Sequence, residues 1–439
     1  MKDKLPTNSE DTVPDNSLLK EKQNISQFAS IFVVACTIIS LTVIIFATGK
    51  SNLQREEKNT SSKNQTQSNI QNQTSPQSLQ QNEVTENQNS QGNATNNQTS
   101  ESSRSNQSQF SPSSITPTEV GVPSLSKTFG ANYLKSESNY NFSKNQRLVK
   151  IINGVVNLVS QRGLPKEDLY ITLIDIKTNS REGYQPEILK YPASVVKMFW
   201  MIILYTQSYQ GLQPDIQYFE SDLYKMMVES DNESASQILD RVTRTKSGSE
   251  LYGSEYENWI EQRQDVNRFF EQSGSNTYKG IDISQKTFPI PYLGYRLPEG
   301  RDLQMRGDPE NPIRNKISTQ QTAQLMYELV TERTIVPKED IEKWLRRDLR
   351  SEAWQSIDPN AGDFNPVRTF FGEYLPPSVV FLSKAGWTSK TRQEVAFVET
   401  SEGKVRYVIA IFANNSAYAK DEKIFPEISK FVFQSMTKP

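Results

Sequence analysis

One stretch of this 439-residue chain is expected not to fold, and it places the expected folded domain on its C-terminal side. Between residues 59 and 109, roughly three residues in four are Asn, Gln, Ser or Thr, with no aromatic side chain and almost no aliphatic one. Such a segment buries too little apolar surface to offset the conformational entropy lost on folding. It reads as a disordered tether, and its Asn-x-Ser/Thr triplets follow from the composition alone. Linker is therefore expected over 49–129 and a single folded domain over 130–439.

Before the linker, Phe28 to Thr48 (FASIFVVACTIISLTVIIFAT) carries no charge and is apolar or weakly polar throughout. About 20 such residues cross a bilayer core as a helix, and the polar flanks leave this run nothing to pack against. It is expected to be a single transmembrane helix behind a polar tail, residues 1–27. A cleaved signal peptide fits less well, because the run is long and lacks a small-x-small exit. Val33-Val34-Ala35-Cys36 has a faint lipobox character, but the apolar run continues past the cysteine. Lys50, Arg55, Lys58 and Lys63 follow the span while Lys20 and Lys22 precede it. By the positive-inside rule that bias favours the domain inside; the chemistry below favours it outside, and the chemistry sets the expectation.

Within the domain, apolar spacing over Asn145–Gln161 predicts a helix with one buried face and a stop at Gly163. Leu169 to Ile176 reads as a strand. Ser194 to Tyr205 is apolar all round and reads as a buried central helix. Helix-rich polar sequence fills about 220 to 350, broken by a Pro/Gly-containing stretch over 273–312. Three strands are expected over 378–384, 393–400 and 405–414, the last two joined by the turn Ser401-Glu402-Gly403. An amphipathic helix carrying Ile424, Ile428, Phe431, Val432 and Met436 closes the chain. This order predicts an α/β (α+β) domain: an antiparallel sheet from both chain ends, flanked by helices, with an all-helical subdomain inserted.

The chain has no histidine and one cysteine, Cys36. That excludes a Ser-His-Asp triad, a Cys-His pair, an internal disulfide and the usual zinc ligand sets. No cofactor is implied. With 49 basic and 51 acidic residues the net charge is −2, so no nucleic-acid partner is indicated. A serine nucleophile here must be activated by lysine or carboxylate, and Ser194-Val195-Val196-Lys197 supplies the lysine three residues away, on one helix face. Alone this spacing is commonplace. Acting as a base, Lys197 would need its pKa lowered by about three units, roughly 4 kcal/mol, which burial and a second ammonium can supply. Ser230-Asp231-Asn232 stands between two helical stretches, where an N-cap is the ordinary reading and a proton shuttle with an amide-binding Asn the functional one. Lys384-Ala385-Gly386 is expected at the end of a strand. There the lysine is either an edge charge or an anchor for a substrate carboxylate, and Gly386 admits a close backbone approach.

In conjunction and in this order, the motifs resemble the signature set of the class A β-lactamase and penicillin-binding serine hydrolase superfamily, S-x-x-K, S-D-N and K-T-G. The likeness covers about residues 140 to 437. It includes Met226 to Ala235 around Ser-Asp-Asn and Asn315 to Leu325 as the helix start after the family's omega loop. By this resemblance, Ser194 is the nucleophile, Lys197 a general base and Ser230 the proton shuttle. Asn232, Lys384 and Gly386 bind substrate, and the Trp387 N–H completes an oxyanion hole with that of Ser194. Three departures stand out. Ala385 replaces the usual hydroxyl residue, and Thr388, Ser389 or Arg392 are the candidates to replace it. The gap from Ser194 to Ser230 is short and that from Ser230 to Lys384 long. No Glu-x-x-Leu-Asn motif is present; Glu299 and Glu310 are the glutamates of that stretch, and Glu310 is the better substitute base. The resemblance thus implies a membrane-anchored, extracytoplasmic hydrolase that takes a β-lactam or a cell-wall peptide and releases its acyl group slowly. The alternatives are a D,D-peptidase or esterase, or a non-hydrolytic penicillin-binding or wall-binding module.

Overall fold

In a computed structural model of the chain, the described residues are 133–135, 140–288, 298–357 and 364–438. The tail, the apolar run 28–48 and the linker expected above lie outside them. Among the described residues no helix is long and apolar enough to cross a membrane.

Five antiparallel strands form one sheet in the order β2-β1-β5-β4-β3: β1 (Leu169–Asp175), β2 (Ser180–Tyr184), β3 (Val380–Thr388), β4 (Thr391–Glu399) and β5 (Arg406–Ala413). Strands from the two ends of the domain thus share one sheet, and the helical segments between β2 and β3 are the insertion the sequence predicts. Side chains alternate across each strand, so the sheet has two apolar faces. On one, Leu382, Val395, Phe397, Val408, Ala410 and Phe412 meet the inserted helices. On the other, Phe381, Ala385, Ala396, Val398, Ile409 and Ile411 meet helices α1 (Gln146–Gln161) and α6 (Ile424–Thr437) from the ends of the domain. Gly154 lets those two helices touch, because a Cβ there would stand 2.3 Å from the Phe431 ring.

The inserted side is built around α2 (Val196–Tyr209), in which every residue from Val196 to Gln207 is buried. Burial of each large apolar side chain contributes about 1.5–3 kcal/mol, which makes α2 the hub that α3 (Asn232–Thr243) packs against, while α4 (Thr319–Val330) lies on β1, β4 and β5. α5 (Lys338–Leu345) follows and leads to the sheet through an antiparallel bridge between Arg346 and Leu382.

The structure adjusts several sequence boundaries. The helix expected from Ser194 begins as a tight 3-10 turn over Ala193–Val195 and becomes α-helical at Val196. The strand expected to end at Lys384 continues to Thr388, so Lys384 is mid-strand. β2 was not anticipated. Its sequence SREGY has no apolar alternation, because it is an edge strand, mostly half-buried.

Candidate active site

The 3-10 turn, the segment before α3 and β3 bring Ser194, Lys197, Ser230, Asn232, Lys384 and Gly386 to one face of the sheet. Ala193, just before the nucleophile candidate, holds φ at +46°, a region a non-glycine residue occupies only when its surroundings enforce it. Here the enforcing contacts fall on Tyr191. Its carbonyl accepts from Gln393 Nε2 at 2.7 Å and Asn414 Nδ2 at 3.1 Å, while Gln393 Oε1 accepts the Ala413 N–H at 2.8 Å. Gln393 and Asn414 were not singled out from the sequence. A buried Gln inside an apolar strand was the available signal.

Gly386 lies directly against this turn. A Cβ at that position would stand 2.7 Å from Ser194 N and 3.0 Å from Ala193 Cβ. The absent side chain is what allows β3 to press against the Ser194 backbone.

Ser194 is partly exposed and Lys197 fully buried. The Lys197 ammonium donates to Asn232 Oδ1 at 2.7 Å, to the Ser230 carbonyl at short range, and weakly to Ser230 Oγ at 3.4 Å. From the other side Lys384 Nζ meets Ser230 Oγ at 2.9 Å and the Ala385 carbonyl at 3.0 Å. Ser230 therefore sits between two lysine amines, in a left-handed conformation (φ 59°, ψ 28°) that ends the π-helical turn Lys225–Glu229. Burial lowers Lys197 to about 7, with the Asp231 charge opposing. Burial lowers Lys384 well below the ordinary lysine value, and the Lys197 and Arg347 charges lower it further. Lys197 can therefore be a free base near neutral pH, and a free amine accepts a proton where an ammonium cannot.

The Ser-Asp-Asn motif divides its work. Asp231 is the N-cap of α3, its carboxylate accepting the Ser234 N–H at 2.7 Å. Its neighbours Ser230 and Asn232 face the lysines. Asn232 Nδ2 also donates to the Phe288 carbonyl at 3.2 Å, joining the site to the loop that precedes α4.

Two expected site residues stand elsewhere. Arg392 is buried, but its guanidinium donates to the Tyr418 and Ala419 carbonyls and to Thr369, and lies 5.2 Å over the Phe370 ring. The register explains the correction. Arg392 pairs with Trp387, and both alternate onto the face opposite Lys384 and Gly386. The Trp387 indole is likewise turned away, donating to the Ala419 carbonyl at 3.0 Å. Thr388 shares the parity of Lys384 and Gly386, and Thr391 pairs with it at 3.1 Å between hydroxyls. Glu310 is exposed in a turn whose N–H is capped by Asp308 at 2.9 Å, and Glu299 is exposed at the start of the helix Gly300–Arg306. Among the described residues, neither glutamate forms a hydrogen bond or ion pair with Ser194, Lys197, Ser230 or Asn232. Glu310, the substitute base expected from the sequence, is thus not among the residues that the fold joins to the lysine pair. The residues around it build a solvent-facing turn.

The sequence pattern defining the beta-lactamase enzyme family matches residues 148–436, more than half of the chain. The chain belongs to that family and is a hydrolase of the class A β-lactamase-like fold. Among solved structures, a PBP-A L158E mutant in acyl-enzyme complex with penicillin G is 15% identical with a TM-score of 0.43, covering 67% of this chain and 98% of that one. An ancestral Gram-negative class A β-lactamase is 15% identical with a TM-score of 0.42, covering 65% and 99%. The class A β-lactamase of Clostridium kluyveri DSM 555 is 15% identical with a TM-score of 0.43, covering 66% and 100%. None of the curated proteins matches the chain.

Proposed function

We propose that this hydrolase forms an acyl-enzyme at Ser194 with a β-lactam, opening its amide bond, and releases the acyl group slowly. The observation that carries the reading is the buried Lys197–Ser230–Lys384 relay at the turn bearing Ser194. In the step proposed, a free lysine amine takes the Ser194 hydroxyl proton while Oγ attacks the carbonyl carbon. The Ser194 and Trp387 N–H groups stabilise the oxyanion. On collapse the C–N bond breaks, and the leaving nitrogen takes a proton from Ser230, which is reprotonated by the lysine. Water then hydrolyses the Ser194 ester. Slow release is supported by the exposed positions of Glu299 and Glu310 and by the commitment of Asp231 to its cap.

Mass spectrometry after exposure to penicillin is expected to find one penicilloyl adduct on Ser194. Ser194→Ala should abolish it, and Lys197→Ala should slow its formation by at least ~10²-fold. Acylation of the Ser194→Ala protein at the wild-type rate would overturn the mechanism. Turnover of a chromogenic cephalosporin should show a burst equal to the enzyme, then a slow phase that Glu310→Gln leaves unchanged. Release of D-alanine from a peptide, without that burst, would favour a D,D-peptidase.

We further propose that the apolar run 28–48 anchors the protein with its domain outside the cytoplasmic membrane, where β-lactams and cell-wall peptides are met. Protease added to intact cells should release a soluble domain by cutting between residues 59 and 120. Full protection until the membrane is permeabilised would reverse the topology.

A further inference from the structure

Behind the strand that carries Lys384, Arg347 is 7% exposed and lies in the segment after α5. Its Nη2 donates to two carbonyls at 3.0 Å each: Met227, in the turn that delivers Ser230, and Ser383, the residue before Lys384. Nη1 donates to the Trp344 carbonyl at 2.9 Å, and the backbone N–H to that of Phe381 at 3.0 Å. One planar guanidinium therefore ties together the two elements whose side chains meet at the 2.9 Å contact between Ser230 and Lys384. Only arginine offers that many donors in a fixed fork. A buried cation is an expensive fastener where two apolar residues would pack, so its charge invites a role of its own.

We propose that Arg347 is a positioning residue of the acylation reaction, clamping the Ser230 turn to the Lys384 strand and placing a fixed positive charge beside the lysine pair. The inference rests on the reading of Ser194 as the acylated residue. Four groups act on the Lys384 amine. Lys197 from α2 and Arg347 disfavour its proton, while Glu394 from β4 and the Phe364 ring, 5.4 Å away, favour it. Arg347 itself, lowered by burial to about 10, remains a cation at neutral pH. Burial raises Glu394 to about 8, although its carboxylate accepts the Phe371 N–H at 2.7 Å, so it leaves the Arg347 charge largely unbalanced at neutrality. The Arg347 charge acts on Lys384, whose amine meets the same Ser230 hydroxyl as Lys197, and so disfavours a second proton in the relay.

The test compares the full-length protein with Arg347→Met and Arg347→Lys, measuring penicilloyl-adduct formation as a function of pH and titrating the lysine side chains by NMR without substrate. Arg347→Met should lower the acylation rate at neutral pH roughly 10- to 100-fold and move its acid limb, with the NMR midpoint, up by about one pH unit. Arg347→Lys should hold the limb in place and recover part of the rate. A folded Arg347→Met protein with unchanged rate and midpoint would overturn the proposal. So would a rate that falls only with the folded fraction while the midpoint stays, since that is what a purely structural role gives. If the wild type forms no adduct but the midpoint still shifts, the positioning role stands and the acylation reading falls.

Discussion

Two residues hold left-handed backbones at the centre of this site, Ala193 beside Ser194 and Ser230 between the lysines. Each conformation costs about 1–3 kcal/mol, and each is enforced from outside, by Gln393 and Asn414 on one and by the lysine contacts on the other. Gly386 completes the fit by absence. Gly386→Ala would drive a methyl group into Ser194 N and must push β3 away. We expect acylation to fall at least ~10-fold, with about 1–3 kcal/mol of stability lost, as read by adduct kinetics and denaturant unfolding. The pH response also belongs at this scale. Lys197 must be neutral to accept a proton and sits near 7, so acylation should rise with pH through neutrality and lose its basic group below it. An acylation rate that is flat from mildly acidic to mildly alkaline pH would assign the base elsewhere.

At the scale of elements, Arg392 shows what a strand position decides. From β4 it crosses to the far face and fastens the segments at Thr369 and Tyr418. Arg392→Met should destabilise the fold by about 2–4 kcal/mol through its orphaned carbonyls, while the acylation pH limb stays where it is. The sequence carried α1, β1, the buried α2 and the three C-terminal strands to within a few residues, because each has a strong apolar period. It also pointed to Ser194, Lys197, Ser230, Asn232, Lys384 and Gly386, because each of the three motifs is local, and the fold brings those motifs together. What escaped it depends on register and distance. The face Arg392 takes follows from its pairing with Trp387. The Gln393 brace depends on a partner 202 residues away. Glu310 was chosen by its neighbours in sequence, and those neighbours make an exposed turn.

Over the whole molecule, one buried carboxylate ties the start of the domain to its helical half. Glu328 on α4 accepts from the hydroxyls of Tyr133 at 2.8 Å and Tyr278 at 2.7 Å, and from Gln324 at 3.0 Å. Burial raises it to about 7 against these hydrogen bonds. A carboxyl raised in the fold contributes stability that is fully present below its unfolded value and is lost as pH rises through the folded one. Stability should therefore decline between about pH 4.5 and 7 by roughly 1–3 kcal/mol from this group. Glu328→Gln, which keeps an acceptor for both hydroxyls, should flatten that decline in unfolding measured at the two pH values. An unchanged slope would mean that the decline has another source.

The sheet that joins both ends of the domain also sets when it can form. β1 pairs with β5, and just beyond that pairing Asp168 accepts from Asn415, 247 residues later. Loop closure over such a span is slow, and no local contact substitutes for it. Until β5 is made, β1 has only its local hairpin partner β2, and its other edge stays open. The apolar faces of the hairpin stay exposed to wrong partners until that strand arrives.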